Sequence, residues 1–341
     1  MERASDTLPL PIEDSPPGAR RPLKVGLLLP NGEGMLDGRT ARGEDFRAFA
    51  LLAEDAGFDA LWTVDHLLVR PAAVAAQFGA PVSPQLAAEP PQGFWDCWTL
   101  LAALAGATSR IRLGTLVSCT GYRNPVVLAN MAATLDEFSG GRLVLGLGAG
   151  NYADEHRSLG VPFDHRISRF EEALTIIAGL LRHGTVDFAG EWYTARECEL
   201  RLRGPRPAGP PILIGALGQG PRMLRLVAEY GDYWNAGLAF ERSHPDRIPP
   251  LREAVDAACL AHGRDPATLA RTVTIRVALP GQTVSIQSPG EEPLQGTPDE
   301  IADALRAFAR AGIDEAQVWL APNTLAGIEA FAPALANLGQ E

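Results

Sequence analysis

Cysteine is scarce in this 341-residue sequence, which contains only Cys97, Cys119, Cys198 and Cys259. The four stand far apart and form neither a C-x-x-C pair nor a cysteine–histidine spacing typical of zinc ligands. A disulfide framework and a metal site are therefore not expected. Reduced, structural thiols are typical of cytosolic proteins, and we expect a cytoplasmic location.

Long apolar runs and an excess of basic charge are also missing. No apolar run reaches the length of a membrane span. The first twenty residues are polar and proline-rich, unlike a signal peptide, and residues 1–21 are expected to form a disordered or extended segment. The formal net charge of −11 argues against a nucleic-acid partner. An anionic cofactor stays compatible with this charge, because backbone N–H groups can hold phosphate.

What the sequence does contain is an alternation of short β-like apolar runs with longer helical patterns. The runs are Val25 to Leu29, Ala60 to Val64, Ile111 to Val117, Leu143 to Leu147, Ile212 to Ile214, Tyr233 to Ala236, Val273 to Ala278 and Gln317 to Leu320. Eight strand–helix units predict an α/β fold in which residues 22–341 form one (β/α)8 TIM barrel. The alternative is an open, doubly wound parallel sheet.

Three stretches interrupt the alternation and are predicted as loop insertions at the C-terminal face. Residues 67–93 and 184–210 are expected to cover the mouth of the barrel. Residues 280–296 indicate either a mobile lid or a plain surface insertion. We expect residues 67–98, 184–203 and 280–296 to choose a small-molecule substrate, whose identity the sequence does not reveal.

Asp65 and His66 follow the second predicted strand, at the end of the barrel where active sites lie. Histidine can give or take a proton near neutral pH, and Asp65 is expected to orient or charge the ring. The alternative is a histidine that only caps a loop. His156 and His165 lack ligand spacing and are interpreted as surface or capping residues.

Glycine is concentrated after the fourth and fifth predicted strands. The stretch Gly146–Gly150 has glycine at alternate positions, which lets backbone approach a ligand closely, or else marks a bulge or tight turn. The stretch Gly215–Pro221 leads into a helix whose first turn holds Arg222. A glycine loop at a helix N-terminus predicts a phosphate cradle, with an ordinary turn as the alternative.

Several short stretches of the sequence together indicate a protein family. Their order and spacing are more specific than any one stretch alone. They are Glu54–His66, Ala107–Thr115, Asn124–Pro125, Ala132–Asp136, Ser139–Arg142, Gly146–Gly150, Glu155, Pro211–Gly215 and Asp232–Asn235. Through them, from about Lys24 to Leu320, the sequence resembles the bacterial-luciferase-like monooxygenase superfamily. Asp65-His66, Gly148–Arg157 and Gly218-Gln-Gly220 are most similar to the branch that uses the deazaflavin coenzyme F420.

This resemblance implies positions for the site residues. His66, with Asp65, would stand near the reacting face of the cofactor ring. The peptide between Leu116 and Val117 would form a bulge behind the ring, often a cis peptide in this superfamily. Cofactor contacts are implied for Gly150, Asn151, Tyr152, Asp154, Gly218, Gln219 and Gly220. The phosphate side is implied for Asn235, Ala236 and Gly237.

The resemblance also implies an activity. The leading hypothesis is an F420-dependent oxidoreductase that transfers a hydride between the deazaflavin and a small organic substrate. The alternatives are a monooxygenase using reduced FMN and a cofactor-binding protein without turnover. Some deazaflavin dehydrogenases have a catalytic glutamate where Asn151 stands, so a sugar-phosphate dehydrogenase of that type is not expected.

Members of this superfamily commonly pair through helices near the second and third strands, and this chain is similar there. We therefore expect a homodimer. Light scattering at micromolar concentration should give twice the chain mass, and a monomeric mass would contradict the prediction.

Overall fold

The computed structural model describes residues 21–215, 220–282 and 290–340. Its centre is one sheet of parallel strands, which we number β1 to β8. They are β1 Lys24–Leu28, β2 Ala60–Thr63, β3 Arg112–Thr115, β4 Leu143–Gly148, β5 Ile212–Gly215, β6 Tyr233–Gly237, β7 Ala270–Ala278 and β8 Glu315–Ala321. Each strand pairs with its neighbours in sequence, and β8 pairs with β1. The sheet is therefore closed, which confirms the (β/α)8 barrel over the open sheet.

Helices surround this barrel or lie in the connections above it. They are α1 Gly43–Ala56, α2 Pro71–Gln77, α3 Pro84–Ala88, α4 Cys97–Ala107, α5 Pro125–Phe138, α6 Ala153–Leu159, α7 Arg166–His183, α8 Pro221–Tyr230, α9 Ile248–Ala261, α10 Pro298–Arg310 and α11 Leu325–Leu338. Single 3₁₀ turns occur at Thr120–Tyr122, Pro245–Arg247 and Pro266–Thr268.

Local sequence signals set several helix ends. The side chain of Asn124 caps α5 by accepting a hydrogen bond of 2.9 Å from the N–H of Val126, and Pro125 occupies the first helical position. Thr297 and Glu300 form a reciprocal capping box at the start of α10. Gly57 ends α1 with a left-handed φ of 90°, a conformation that glycine adopts without steric cost.

The third strand is shorter than the sequence predicts. It ends at Thr115, where the predicted run continued to Val117, because the chain turns out of the sheet at a cis peptide between Leu116 and Val117. The short strand Ser118–Cys119 then returns to pair with the end of β4. The expectation of an unusual backbone at this peptide is confirmed.

Side chains fill the N-terminal end of the barrel. Trp62 is fully buried there, and its indole N–H donates to Glu315 at 2.9 Å. Arg112 pairs with the same carboxylate at 2.6 Å. A Cβ at Gly26 or Gly114, on the strands either side of β2, would lie 2.3 Å from the Trp62 ring. Two glycines thus make room for one tryptophan, and open space is left at the opposite, C-terminal end.

The predicted insertions take different forms. The segment after β2 contains an antiparallel pair, Leu68–Val69 with Gln92–Gly93, and helices α2 and α3 lie between its strands. Residues 184–210 begin with the hairpin Thr185–Ala189 and Thr194–Glu199, which packs along α7. At its tip, Glu172 of α7 accepts three backbone N–H groups from residues 191–193.

The third insertion is described only in part. Residues 283–289 lie outside the described residues, so the predicted lid is untested there. The short strand Leu294–Gln295 pairs with the end of β7.

Most of the predicted N-terminal segment, residues 1–20, also lies outside the described residues. Arg21, the last residue of that segment, is ion-paired with Asp59 at 2.7 Å. Within the described ranges, no helix combines the length and the apolar character needed to cross a membrane.

Gly146 of β4 offers a direct test of packing behind the bulge. A Cβ there would lie 1.8 Å from the backbone carbonyl oxygen of Thr115. Thr115 has little freedom to move, because its side-chain hydroxyl donates a hydrogen bond of 2.7 Å to the Gly146 carbonyl oxygen. Gly146→Ala should lower the free energy of unfolding by about 2–3 kcal/mol in urea titrations.

Gly106 supplies the matched control, because it is exposed in α4 and a Cβ there would meet no atom within 4 Å. Gly106→Ala should stabilise the protein by about 0.5–1 kcal/mol, as alanine does in a helix interior. Equal effects of the two substitutions would refute the packing argument.

Candidate active site

A cavity of about 950 Å³ opens at the C-terminal end of the barrel. All eight strands, or the residues directly after them, contribute to its lining. Representative positions are Leu28, His66, Val117, Gly148, Gly215, Asn235, Thr274 and Trp319. This volume is typical of sites for small molecules and cofactors.

One wall of the cavity is the bulge formed by the cis peptide of Leu116 and Val117. Glycines on the neighbouring strands make space for it. A Cβ at Gly148 would lie 2.5 Å from the Val117 side chain, and one at Gly215 would lie 3.2 Å from it. The alternating glycines of β4, Gly146 and Gly148, therefore accommodate this bulge first, and Gly148 also lines the cavity together with Ala149 and Gly150.

His66 faces the cavity, and its hydrogen-bond partner is Glu155 of α6. His66 Nδ1 lies 2.8 Å from Glu155 Oε2. The histidine side chain keeps 21% of its surface exposed, whereas that of Glu155 is 1% exposed. An ionisable ring on the cavity surface is thus held from behind by a buried carboxylate.

The buried carboxylate of Glu155 is fully supplied with donors. Besides His66, the Tyr122 hydroxyl donates to Oε2 at 2.7 Å, and the N–H groups of Leu67 and Leu68 donate to Oε1 at 2.7 and 3.1 Å. Burial alone would raise the pKa of Glu155, but these hydrogen bonds lower it below its ordinary value. Burial and the nearby negative charges raise the pKa of Tyr122, so its phenol stays a donor.

This arrangement selects the histidine tautomer. An ionised carboxylate can only accept hydrogen bonds, so Nδ1 of His66 must hold a proton. Nε2 is then the ring nitrogen that can exchange a proton with a molecule in the cavity. The rings of Tyr152 and Phe94 limit movement of the imidazole, with centroids 5.1 and 5.5 Å away.

The expectation that Asp65 orients His66 is wrong. Its buried carboxylate forms an ion pair with Arg123 at 2.6 Å and accepts from the Ser118 hydroxyl and the Cys119 N–H at 2.8 and 3.0 Å. Asp65 and His66 follow one another in the connection after β2, and their side chains bind different partners. Asp65 instead anchors the chain directly after the bulge, while still reaching the cavity edge.

Asp65, Asp96 and Cys97 place their polar side-chain atoms close together. A guanidinium group already lies between the two carboxylates, since Arg123 also contacts Asp96 at 2.8 Å. Burial raises the pKa of the Cys97 thiol, which disfavours the thiolate that a metal requires. The cluster is thus an ion-pair network.

The interpretation of His156 as a surface or capping residue is wrong. It is buried in α6, with Nδ1 3.0 Å from the Tyr152 carbonyl oxygen and Nε2 3.8 Å from the Cys119 sulfur. Burial lowers its pKa, which favours the neutral ring. His165 does occupy the N-cap position of α7, but its ring stacks on Trp192 and makes no cap hydrogen bond.

The other predicted cofactor residues divide into three groups. Those that line the cavity are Leu116, Val117, Gly150, Asn151, Tyr152, Asn235 and Gly237. Those placed elsewhere are Asp154, paired with Arg157, Ala236, buried in the core, and Gly220, exposed at the N-cap of α8. Gly218 and Gln219 lie outside the described residues. Asn235 binds Thr272 and Gln317 inside the barrel, at the cavity floor.

Sequence reasoning missed the roles of three polar residues near the site. Glu155 belonged to the resemblance but was not assigned to the site, and Tyr122 and Arg123 were not considered. For Tyr122 and Arg123, the position directly before Asn124-Pro125 was the feature of the sequence that could have pointed to the site. Of the insertions, the segment after β2 lines the cavity, whereas no residue of 184–210 does.

An ionisable side chain beside a large cavity at the C-terminal face is the arrangement of a (β/α)8-barrel enzyme. Residues 23–282 match the sequence profile of the family described as luciferase-like monooxygenase, and the chain belongs to this family. The resemblance found in the sequence is thereby confirmed.

Among curated relatives, 5,10-methylenetetrahydromethanopterin reductase of Archaeoglobus fulgidus is 32% identical over 216 residues, covering 63% of this chain and 54% of the relative. This chain thus spans about half the length of that relative.

Solved structures support the fold. An F420-dependent secondary alcohol dehydrogenase in complex with an F420-acetone adduct has a TM-score of 0.72 at 19% identity, covering 92% of this chain and 99% of that chain. A long-chain alkane monooxygenase has a TM-score of 0.71 at 15% identity, covering 92% and 91%.

The Asp65 network yields a prediction about stability. Asp65→Asn removes one partner of a buried ion pair, which typically costs about 3–5 kcal/mol. We expect a loss of this size in chemical denaturation. Asp187→Asn is the control, because the Asp187–Arg196 pair is exposed and should contribute less than about 1 kcal/mol. Normal stability with abolished turnover would instead assign Asp65 to the chemistry.

Proposed function

We propose that this protein is an F420-dependent oxidoreductase that transfers a hydride between the deazaflavin and a small organic substrate. The observation that supports this most directly is the His66–Glu155 pair at the edge of the cavity. His66 lines the same cavity as the Leu116–Val117 bulge. A proton donor or acceptor and a support for a planar ring therefore share one cavity.

The cavity wall fits a flat, tricyclic ring. Gly148 and Gly215 line it next to Val117, and since a Cβ at either would meet the Val117 side chain, this part of the wall consists of backbone and valine. A Cβ at Gly150 would also collide with His156, 2.5 Å away. The ring would thus lie against backbone and the Val117 side chain.

Phosphate groups of the cofactor have suitable partners nearby. Arg166, the first residue of α7, lines the cavity, and so does Met223 from the first turn of α8. Backbone N–H groups at helix N-termini attract anions. These features suit F420 and FMN equally.

When bound, the deazaflavin supplies a hydride acceptor or donor, and the protein handles the accompanying proton. His66 Nε2 exchanges that proton with the substrate. Glu155 holds Nδ1–H, keeps the ring oriented and stabilises a positive charge on it. The apolar side chains around the cavity exclude water, which strengthens these electrostatic interactions.

The choice of F420 over FMN rests on similarity. The Asp65-His66 pair resembles the deazaflavin branch, and the secondary alcohol dehydrogenase that holds an F420-acetone adduct has the same fold. The family description and the alkane monooxygenase favour the alternative, a reduced-FMN monooxygenase.

Parallel fluorescence titrations with F420 and FMN test this choice. We expect F420 to bind and to change redox state with a panel of alcohols and ketones. Binding of FMN alone, with oxygen-dependent turnover, would establish the monooxygenase instead. Tight cofactor binding without any redox change would indicate a binding protein without turnover.

The role of His66 can be tested by substitution. His66→Ala should lower turnover by roughly 10²–10⁴-fold, the usual contribution of a general acid or base, and change cofactor affinity by only a small factor. Glu155→Gln should lower turnover less, because the imidazole is retained while it loses the negative charge behind it, and it should also lower the melting temperature, because the amide NH2 then faces a hydrogen-bond donor. Steady-state kinetics and melting curves of both variants provide the measurement. Undiminished turnover of a folded His66→Ala variant would remove the histidine from the mechanism.

A further inference from the structure

The segment after β2 gives the cavity an apolar side. Val74, Ala75 and Phe78 of this segment line the cavity, together with Leu86 of α3. Val74, Phe78 and Leu86 are only half-buried. Apolar surface left open toward a cavity is surface that an apolar ligand would cover.

Aromatic contacts hold this segment to the barrel. The ring of Phe78 stacks on Phe240, which follows β6, with centroids 4.6 Å apart and an interplanar angle of 21°. Phe240 in turn meets Trp319 of β8 edge to face at 5.9 Å. The Arg276 guanidinium lies over the ring of Trp319, 4.7 Å from its centroid. The apolar side is therefore a fixed wall of the cavity.

This apolar side is continuous with the reacting side. Phe94, directly after the strand Gln92–Gly93, lines the cavity and packs edge-on against His66 at 5.5 Å. A molecule in contact with Phe78 and Val74 would thus extend toward the imidazole.

Charge limits the kind of ligand that fits. Among the described residues of this segment, the charged side chain that lines the cavity is Glu89. A carboxylate there repels anions and offers nothing to neutralise them. The other charged lining groups, Asp65, His66 and Arg166, lie on different elements.

We propose that Val74, Ala75, Phe78 and Leu86 form a substrate subsite for the hydrocarbon or aromatic body of a neutral organic molecule. Its reacting carbon would be directed along Phe94 toward His66. The direction of reaction rests on the proposed function, but binding of the apolar body does not.

Binding of a neutral fluorescent probe, N-phenyl-1-naphthylamine, tests the subsite without turnover. Val74→Asp places a carboxylate in the apolar wall and should weaken probe binding by at least about tenfold. Phe78→Ala should also weaken it. Phe138→Ser is the control, since Phe138 is 76% exposed on α5 and does not line the cavity. Unchanged affinity in both subsite variants, or equal loss in the control, would overturn the proposal.

Displacement of the probe by straight-chain methyl ketones gives a second measure. Each added methylene should tighten binding by roughly fourfold while the chain remains buried in the subsite. Fatty acids of the same length should bind more weakly. Affinity independent of chain length would overturn the proposal. If Val74→Asp fails to fold, Val74→Ala decides, with a smaller expected loss.

F420 titrations of the same variants separate the two proposals. We expect F420 affinity close to that of the parent protein, because the subsite residues belong to the helices after β2 and the bulge belongs to the connection after β3. Probe binding that depends on Val74, in a protein that never binds F420, would support the subsite and refute the proposed cofactor. Normal F420 binding, together with probe binding that neither substitution changes, would support the proposed cofactor and refute the subsite.

Discussion

The carboxylate of Glu155 joins the parts of the site that the barrel itself does not hold together. It receives hydrogen bonds from the His66 ring, from the backbone that enters the segment after β2, and from Tyr122 in the connection after β3. The connections after β2 and β3 therefore converge on one buried negative charge, which the connection after β4 supplies. Because each of its oxygens is supplied with donors, burying the charge is tolerated, and the loops are fixed relative to one another.

Asp65 and Glu155 are both buried carboxylates near the same cavity, but their partners give them different functions. The Asp65 carboxylate is neutralised by Arg123, so it mainly anchors the chain after the bulge. Among the described residues, the ion-pair partner of Glu155 is the His66 imidazole, so its charge acts on that ring. The nearest basic group thus separates an acid that anchors the backbone from one that holds a ring at the cavity.

The barrel could be predicted from sequence because each strand–helix unit shows its own local periodicity. Eight consecutive units of this kind are compatible with few sheet topologies, of which the closed barrel is one. The cis peptide at Leu116–Val117 was accessible only through resemblance, since neither residue type favours it. The His66–Glu155 contact joins residues 89 positions apart and has no local signal. Alternating glycines in β4 suggested close approach of a ligand, whereas their nearest neighbours are Thr115 and Val117. Burial of His156 could not be read from composition, because its surroundings come from distant segments.

The tryptophan packed between Gly26 and Gly114 has a consequence for the route by which molecules can move. Trp62, Glu315 and Arg112 fill the N-terminal end of the barrel and block the way from the cavity to that end. A molecule that enters the cavity through the C-terminal face therefore has to turn back and leave through the same face, so the barrel is a pocket and not a passage.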